Sequence, residues 1–255
     1  MTSFLAGMRI QFRLVRRQPD ALLTLCALPF TAVILLSIVI DAKRPDLVLN
    51  AVLAPALIGL WVFSISFVTD LIDDERRLGT WEQAMAAPAA LHSVLAGKVS
   101  TAIVLGVLPL GETWLLAKAF FGVTITLQHP WVFLLTWLVS LGAMAGTSLV
   151  LVAALLLSRN GSVYGNFLTF PIYLLSGVMV PVSYLPEFVR PISSVVFLSW
   201  SADLMRDAFG NATPANVIWR LAAIVGLGTA AAVGGRFLLG AVLRRGKETG
   251  TMTYA

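Results

Sequence analysis

Residues 130–157 read PWVFLLTWLVSLGAMAGTSLVLVAALLL and contain no charged side chain. As an α-helix this run would be about 42 Å long at about 1.5 Å per residue, and the hydrocarbon core of a bilayer is about 30 Å thick. Trp131 and Trp137 near its start are suited to anchor a helix at the membrane surface. The run therefore predicts a helix that spans a membrane.

Other apolar segments of similar length lie on both sides of this run. The sequence predicts six spans, which we place at residues 21–40, 49–69, 91–121, 130–157, 163–182 and 217–243. The third is long, so we expect either that part of it projects beyond the bilayer or that it kinks near Pro109, where proline breaks the hydrogen-bond pattern of a helix. Charged residues make up 12% of the chain, against about a quarter in soluble domains. These features predict an all-α integral membrane protein with one domain, residues 1–255.

Residues 1–20 are predicted to form an amphipathic helix that lies along the membrane interface. Phe4, Met8, Phe12 and Val15 recur at helical spacing, while the arginines occupy another face. The predicted membrane-interface residues are Arg9, Arg13, Arg16 and Arg17.

Residues 183–213 are apolar but interrupted by prolines, which is too irregular for a span. We predict short outer helices that lie in the interface or re-enter the membrane before the last span. The candidate residues of this region are Pro186, Pro191, Asp203 and Arg206.

The charge of the chain points to lipid and not to nucleic acid as its charged partner. The formal net charge is +5, and the basic residues lie beside apolar runs, where anionic lipid headgroups attract them. Cys26 is the only cysteine, which excludes an intrachain disulfide and a thiolate metal site.

The distribution of lysine and arginine gives the orientation, because loops rich in these residues stay in the cytoplasm. With the N-terminus inside, twelve of the 18 basic residues are on the inner side: Arg9, Arg13, Arg16, Arg17, Arg76, Arg77, Lys98, Arg159, Arg236, Arg244, Arg245 and Lys247. The outer side holds Lys43, Arg44, Lys118, Arg190, Arg206 and Arg220. We predict a multi-pass protein of the cell (plasma or inner) membrane with both termini in the cytoplasm.

Residues 70–91 are then a cytoplasmic loop with a helix of its own. Thr80 and Gln83 form a capping-box pattern that begins a helix, and Pro88 disfavours helix at the residue before it. The short helix places Trp81 and Met85 at positions i and i+4, where they form a small apolar knob suited to a groove on a partner.

This loop carries a resemblance to a known family, the ABC-2 type permeases, which are the membrane subunits of ABC exporters. The run that resembles their cytoplasmic coupling segment is Glu75-Arg76-Arg77-Leu78-Gly79-Thr80-Trp81-Glu82 through Ala87-Pro88. A second block that resembles the family is Pro181, Leu185-Pro186 and Ala202-Asp203-Leu204-Met205-Arg206. Ser199 is a departure, since the family often has proline there. The proportions of the chain are most similar to the daunorubicin-resistance permeases.

The resemblance implies a permease subunit that moves an amphiphilic drug, lipid or lipid-linked glycan out of the cytoplasm or the inner leaflet. It implies pairing with a second permease copy or a homologous permease, with the first, second and fifth spans near their interface. It also implies an ABC ATPase partner that binds ATP and Mg. The residues that this resemblance assigns to ATPase coupling are Glu75, Arg76, Gly79, Thr80, Trp81, Glu82, Gln83, Met85 and Pro88.

The residues agree with a separate ATPase, because the sequence has no phosphate-binding loop. Gly246-Lys247 is followed by Glu248 and Gly97-Lys98 by Val99, where a nucleotide-binding loop needs Ser or Thr. We therefore predict that this chain binds no cofactor and is not itself an enzyme.

Two other functions remain open at this stage. Glu112 lies in an apolar run, where it could contact a translocated ion or substrate. It could instead be a charge near the outer rim that reaches water or pairs with Arg206 or Arg220. Other polar residues that could line a path or pack helices are Tyr164, Asn166, Tyr173 and Ser176. A secondary transporter or channel driven by an ion gradient is the alternative these residues allow. An intramembrane protease would need Ser148 near His92 or His129, a pairing that their positions disfavour. The small residues Gly142, Gly146 and Ser148 are instead expected to let neighbouring helices approach closely.

The predicted orientation can be tested by cysteine labelling in a Cys26-free background. We expect a cysteine at Glu187 to react with an impermeant maleimide on intact cells, because residues 183–213 are predicted to lie outside. A cysteine at Glu82 should react only after permeabilisation. The reverse pattern would invert the topology and remove the coupling assignment with it.

Overall fold

The computed structural model describes residues 5, 8, 9, 12, 13, 19–44, 47–77, 101, 104–123, 126–156, 167, 169, 171–179 and 181–249. These parts of the chain are mostly helical and contain no β-strand. The helices are α1 (Pro19–Asp41), α2 (Val48–Arg77), α3 (Leu108–Phe121), α4 (Pro130–Leu156), α5 (Arg190–Ser193), α6 (Phe197–Phe209) and α7 (Val217–Thr249), with one turn of 3-10 helix at Val182–Tyr184. A further helical stretch covers 171–175.

Two helices among the described residues are long and apolar enough to cross a membrane, Pro130–Leu155 in α4 and Val217–Val242 in α7. Pro29–Asp41 and Val48–Val62 are apolar but shorter. These helices agree with the prediction of an all-α membrane protein. The layout of six spans stays a prediction.

Several helix boundaries differ from the predicted ones. α1 and α4 begin and end close to the predicted first and fourth spans, but α2 continues through the charged residues 70–77, where we expected a loop to begin. α7 likewise continues to Thr249, beyond the predicted end at Leu243. Charged residues can extend a helix into water because its backbone hydrogen bonds are already internal. Hydropathy therefore marks where an apolar run ends and not where the helix ends.

The helix preceding Pro109 is interrupted, as predicted. Residues 104 and 105 are helical, 106 and 107 form a turn, and α3 begins at Leu108 with Pro109 in its first turn. The missing N–H of a proline costs nothing there, because the first turn of a helix has no internal acceptor. α3 is only 14 residues long, which corresponds to about 21 Å. It ends at Gly122, whose φ of 61° forms a left-handed cap.

α4 and α7 form the most extensive helix pair among the described elements. A Cβ atom on Gly146 would collide with the carbonyl oxygen of Gly228. A Cβ on Gly228 would lie 2.6 Å from the Cα of Ala143, and one on Gly235 would lie 2.7 Å from the carbonyl carbon of Leu149. The glycines therefore let the two backbones approach closely, as small residues do in membrane helix pairs.

The described helices form two groups, one of α4, α6 and α7 and one of α1 and α3, and α2 packs on both. α6 contacts α4, α7 and α2, and its buried face includes Leu204 and Met205. α1 and α3 contact each other and α2. Among the described helices, α2 alone packs substantially on both groups, through buried residues such as Leu57, Leu60 and Trp61. α3 and α4 both pack on α2 but make little contact with each other.

Two glycines of α7 give a matched test of the α4–α7 contact. Gly228→Ala should lower the midpoint of thermal unfolding in detergent, because overpacking costs about 1–3 kcal/mol. A Cβ at Gly226 meets no atom within 4 Å, so Gly226→Ala should leave the midpoint unchanged or raise it, since alanine favours helix by about 0.8–1.0 kcal/mol over glycine. Equal effects of the two substitutions would contradict the close approach.

Candidate functional site

α6 is joined to α4 by a buried pair of hydroxyl groups. The oxygens of Ser140 and Ser201 are 2.7 Å apart, and both side chains are fully buried. Ser140 Oγ is also 2.6 Å from the carbonyl oxygen of Thr136, and Ser201 Oγ is 3.1 Å from that of Phe197. The pair is stabilised because an unpaired hydroxyl in apolar surroundings would cost free energy.

Arg206 joins α6 to the chain that follows the stretch at 171–175. Its guanidinium donates to the carboxylate of Asp203, one turn earlier in α6, and to the carbonyl oxygen of Gly177. Gly177 has a φ of 65°, a conformation that glycine adopts without strain and that ends the helical stretch. The Arg206 side chain is 14% exposed, so these bonds satisfy a charge that is largely removed from solvent.

A second ion pair joins α6 to α7. Arg220, near the start of α7, donates to the carboxylate of Asp207 near the end of α6. We call Asp203, Arg206, Asp207 and Arg220 the α6 charge cluster; its two acids and two bases balance. Burial raises the pKa of the Asp203 carboxyl, and the guanidinium groups of Arg206 and Arg220 oppose this shift. Burial also lowers the pKa of Arg206, and the Asp203 carboxylate opposes this shift.

The loop before α4 is fixed at the same end of the bundle. The N–H of His129 donates to the carbonyl oxygen of Ala208 at 2.9 Å. His129 Nε2 lies 3.2 Å from the carbonyl oxygen of Ala212. The described parts of α4, α6, α7 and residues 171–179 are thus connected at one end, which we call the α6 end.

Two of the predicted outer-helix residues, Asp203 and Arg206, lie at this end. Asp203 and Arg206 belong to the α6 charge cluster, while Pro186 is exposed and Pro191 lies in the first turn of α5. α6 itself packs within the bundle and is not peripheral, since most of one face is buried. Ser199 belongs to its first turn, and its N–H donates to the carbonyl oxygen of Val196 at 3.0 Å. A proline at that position would lack this bond.

Glu112 does not pair with Arg206 or Arg220, so that interpretation is wrong. Both arginines bind aspartates of α6 instead. The Oε2 atom of Glu112 is buried and has no hydrogen-bond partner among the described residues. For Arg206 the sequence did hold the signal, because Asp203 lies three residues earlier on the same helix face. The partner of Arg220 depends on how α6 packs on α7, which spacing does not give.

The other candidate path residues are only partly described. Tyr173 is buried in the apolar core, and Ser176 is fully buried, with its hydroxyl donating to the carbonyl oxygen of Tyr173 at 3.2 Å. Tyr164 and Asn166 lie outside the described residues.

A cavity of about 460 Å³ separates α3 from α4 near the α6 end. Its wall is formed by apolar side chains and one glycine: Leu49, Val52, Leu53, Val107, Leu108, Leu110, Gly111, Trp114, Leu127, Phe133 and Phe209. We call this cavity the α3–α4 cleft. Glu112 is not part of its wall. Sequence reasoning missed the cleft, because an apolar stripe within an apolar helix does not reveal which side is left uncovered.

The predicted coupling residues are described only at their beginning. Glu75 and Arg76 lie in the last turn of α2. The other coupling residues, Gly79, Thr80, Trp81, Glu82, Gln83, Met85 and Pro88, lie outside the described residues. Their assignment to coupling stays a prediction.

The predicted N-terminal interfacial helix, residues 1–20, is described and helical at residues 5, 8, 9, 12 and 13, while residues 19 and 20 already belong to α1. Arg9 and Arg13 are exposed there, and Phe12 is 50% exposed. The hydroxyl of Thr101, in the predicted third span, donates to the carbonyl oxygen of Met8 at 3.2 Å. Arg16 and Arg17 lie outside the described residues.

The small residues of α4 have structural roles. The hydroxyl of Ser148 donates to the carbonyl oxygen of Met144 at 2.8 Å. His129 precedes α4, about 28 Å from Ser148 along the helix axis, so these two residues form no catalytic pair. Gly146 provides the predicted close approach, but a Cβ on Gly142 would meet no atom within 4 Å, so the same expectation for Gly142 is wrong.

Comparison with known protein families gives one match. The family described as ABC-2 type transporter matches residues 2–209. The matched region therefore ends with the last residue of α6, Phe209. No curated protein matches the chain.

A double-mutant cycle tests the ion pair of Asp203 and Arg206. Asp203→Asn and Arg206→Gln should each lower the free energy of unfolding, and the double variant should lose less than their sum, with a coupling of about 0.5–3 kcal/mol. Thermal or denaturant unfolding in detergent measures both. Arg190→Gln is the control, because Arg190 is exposed and donates only to loop carbonyls. Additive effects would show that the pair contributes nothing.

Proposed function

The chain belongs to the ABC-2 type transporter family, a family of permease subunits of ABC transporters, and we propose that it forms the membrane path of an ATP-driven exporter. The subunit itself carries out no ATP hydrolysis. ATP and Mg bind to a separate ABC ATPase subunit, which contacts this chain in the cytoplasm.

The observation that carries this proposal is the length and position of α2. At 30 residues the helix is about 45 Å long, so about 15 Å of it exceeds the hydrocarbon core. The excess holds the charged residues 70–77, which lead directly into the coupling segment, residues 80–88. α2 also packs on both groups of helices. A displacement of the coupling segment would therefore reach both groups through one rigid element.

The cargo we propose is an amphiphilic drug, lipid or lipid-linked glycan that leaves the cytoplasm or the inner leaflet. The proportions of the chain resemble the daunorubicin-resistance permeases, which supports a cargo of this class and outward transport. The apolar character of the described helices agrees with it, because an amphiphile can reach such a path from within the bilayer.

Two copies of the chain, or this chain and a homologous permease, complete the path in our proposal. α1 offers a surface for this contact, because Phe30, Ile34 and Ile38 recur at a spacing of four residues and are 67%, 58% and 59% exposed. Such a stripe on one helix suits a second helix as well as lipid.

A gradient-driven transporter remains a second candidate because of Glu112. Its buried Oε2 atom without a described partner is what a proton or cation site in a membrane would require. Glu112→Gln separates the two functions. In an exporter driven by the ATPase subunit, transport should follow ATP hydrolysis in the variant as in the native chain, whereas a gradient-driven carrier should lose its dependence on the ion.

Met85→Asp tests the coupling segment directly. The substitution should place an unpaired charge at the contact with the ATPase, where losing a central anchor costs about 2 kcal/mol or more. We expect weaker association in a pull-down with the ATPase subunit, and lower transport and stimulated ATPase activity. Membrane abundance should stay near normal, since the segment lies outside the predicted spans.

Thr251→Asp, in the polar tail, is the matched control and should change none of these measurements. Full association and full transport by Met85→Asp would refute the coupling assignment and favour the gradient-driven alternative.

A further inference from the structure

The α3–α4 cleft opens sideways from the bundle. Its wall carries no polar side chain, while three of its residues, Leu108, Trp114 and Leu127, are 46%, 53% and 37% exposed and form the rim. The opening exists because α3 and α4 rest on α2 without closing on each other.

The surfaces beside the opening are apolar as well. Leu115 on α3 and Leu134 and Leu138 on α4 are each about half exposed or more. In a membrane these side chains face hydrocarbon, so the opening communicates with lipid and not with water. Water gains little in such a cavity, because the side chains of the wall offer it only the indole N–H of Trp114. Hydrocarbon chains are the molecules available to occupy it.

A cation lies beyond the rim on the same side of α3. Val107, Gly111 and Trp114 line the cleft at positions i, i+4 and i+7, and Lys118 continues this stripe one turn further. Lys118 is exposed and belongs to the last turn of α3. A chain that enters the cleft would therefore leave its headgroup beside an ammonium group, which attracts phosphate.

We propose that the α3–α4 cleft binds one acyl chain of a membrane phospholipid, with the phosphate of that lipid beside Lys118. The bound lipid is a resident of the fold and completes the packing between α3 and α4. The site is separate from Glu112, which is not part of the cleft wall. It also stands apart from the proposed export function, because it requires neither ATP nor a partner subunit.

The probe is a phosphatidylglycerol with a diazirine in one acyl chain, incorporated into nanodiscs that hold the whole chain without an ATPase. After irradiation, mass spectrometry of peptides should locate the label in α2 near Leu53 and in α3 near Trp114. Gly111→Leu should reduce this labelling about tenfold. The leucine side chain would displace about two methylene groups of the acyl chain from the cleft, and the lost burial would weaken lipid binding by that factor. Gly111 tolerates the change, since its Cβ would meet no atom within 4 Å.

Gly234→Leu is the matched control, because Gly234 is also an exposed helical glycine with nothing within 4 Å of its Cβ and lies outside the cleft. It should leave labelling unchanged. Label spread evenly over exposed residues such as Phe120 and Phe237, or equal losses in Gly111→Leu and Gly234→Leu, would overturn the proposal.

Lys118→Gln tests the headgroup contact, and Lys43→Gln is its control, since Lys43 is an exposed lysine in the turn after α1. Only Lys118→Gln should lower labelling, and unchanged labelling would overturn the proposed phosphate contact. If ATP and the ATPase subunit removed the label, the cleft would hold cargo and not a resident lipid. Binding of the ATPase subunit to the Gly111→Leu variant is measured in a separate pull-down. The exporter proposal predicts normal binding whether or not the cleft holds lipid, so the two proposals can fail independently.

Discussion

The close approach of α4 and α7 is the contact around which the described helices are arranged. Lipid tails are as apolar as leucine side chains, so the hydrophobic effect gives membrane helices little reason to associate with each other. Dispersion contacts between closely packed backbones supply the attraction instead, and they weaken rapidly with distance. Gly146 and Gly228 allow that approach because glycine has no Cβ, and a Cβ on either residue would collide with the backbone of the opposite helix. α6 packs against both helices of the pair, and α2 packs against α4 and α6.

The α6 charge cluster joins α6 to α7 and to residues 171–179 at the α6 end of the bundle. Two acids and two bases offset one another in partly buried surroundings, where an unpaired charge would be costly. Arg206 also satisfies the carbonyl oxygen of Gly177, so the cluster reaches the chain after the stretch at 171–175. The helices α4, α6 and α7 are thereby held by polar bonds as well as by packing, whereas α3 rests on α1 and α2.

α2 is the described helix that connects the two groups. A helix that packs on both groups can change their relation if it tilts or shifts, since rigid elements transmit displacement along their length. The same division leaves the α3–α4 cleft uncovered, because α3 follows the α1 and α2 side while α4 follows α7. The hydrogen bond from the Thr101 hydroxyl to the carbonyl oxygen of Met8 also connects the chain before α3 to the N-terminal residues.

The sequence by itself determined the helical class, the membrane setting, the first and fourth helices and the break before Pro109. These depend on local properties, namely the length of apolar runs and the missing N–H of proline, which act the same way whatever surrounds them. The sequence also predicted Gly146 as a contact, and it assigned Asp203 and Arg206 to the outer helices without pairing them.

Tertiary structure decided which groups meet. Only the packing showed that Arg220 binds Asp207 and not Glu112, that Gly142 faces open space, and that α3 and α4 stay apart. The continuation of α2 through the charged residues 70–77 was equally beyond a hydropathy argument. The physical reason is that apolar helices have similar surfaces on all sides, so the side that each helix buries depends on where its neighbours lie.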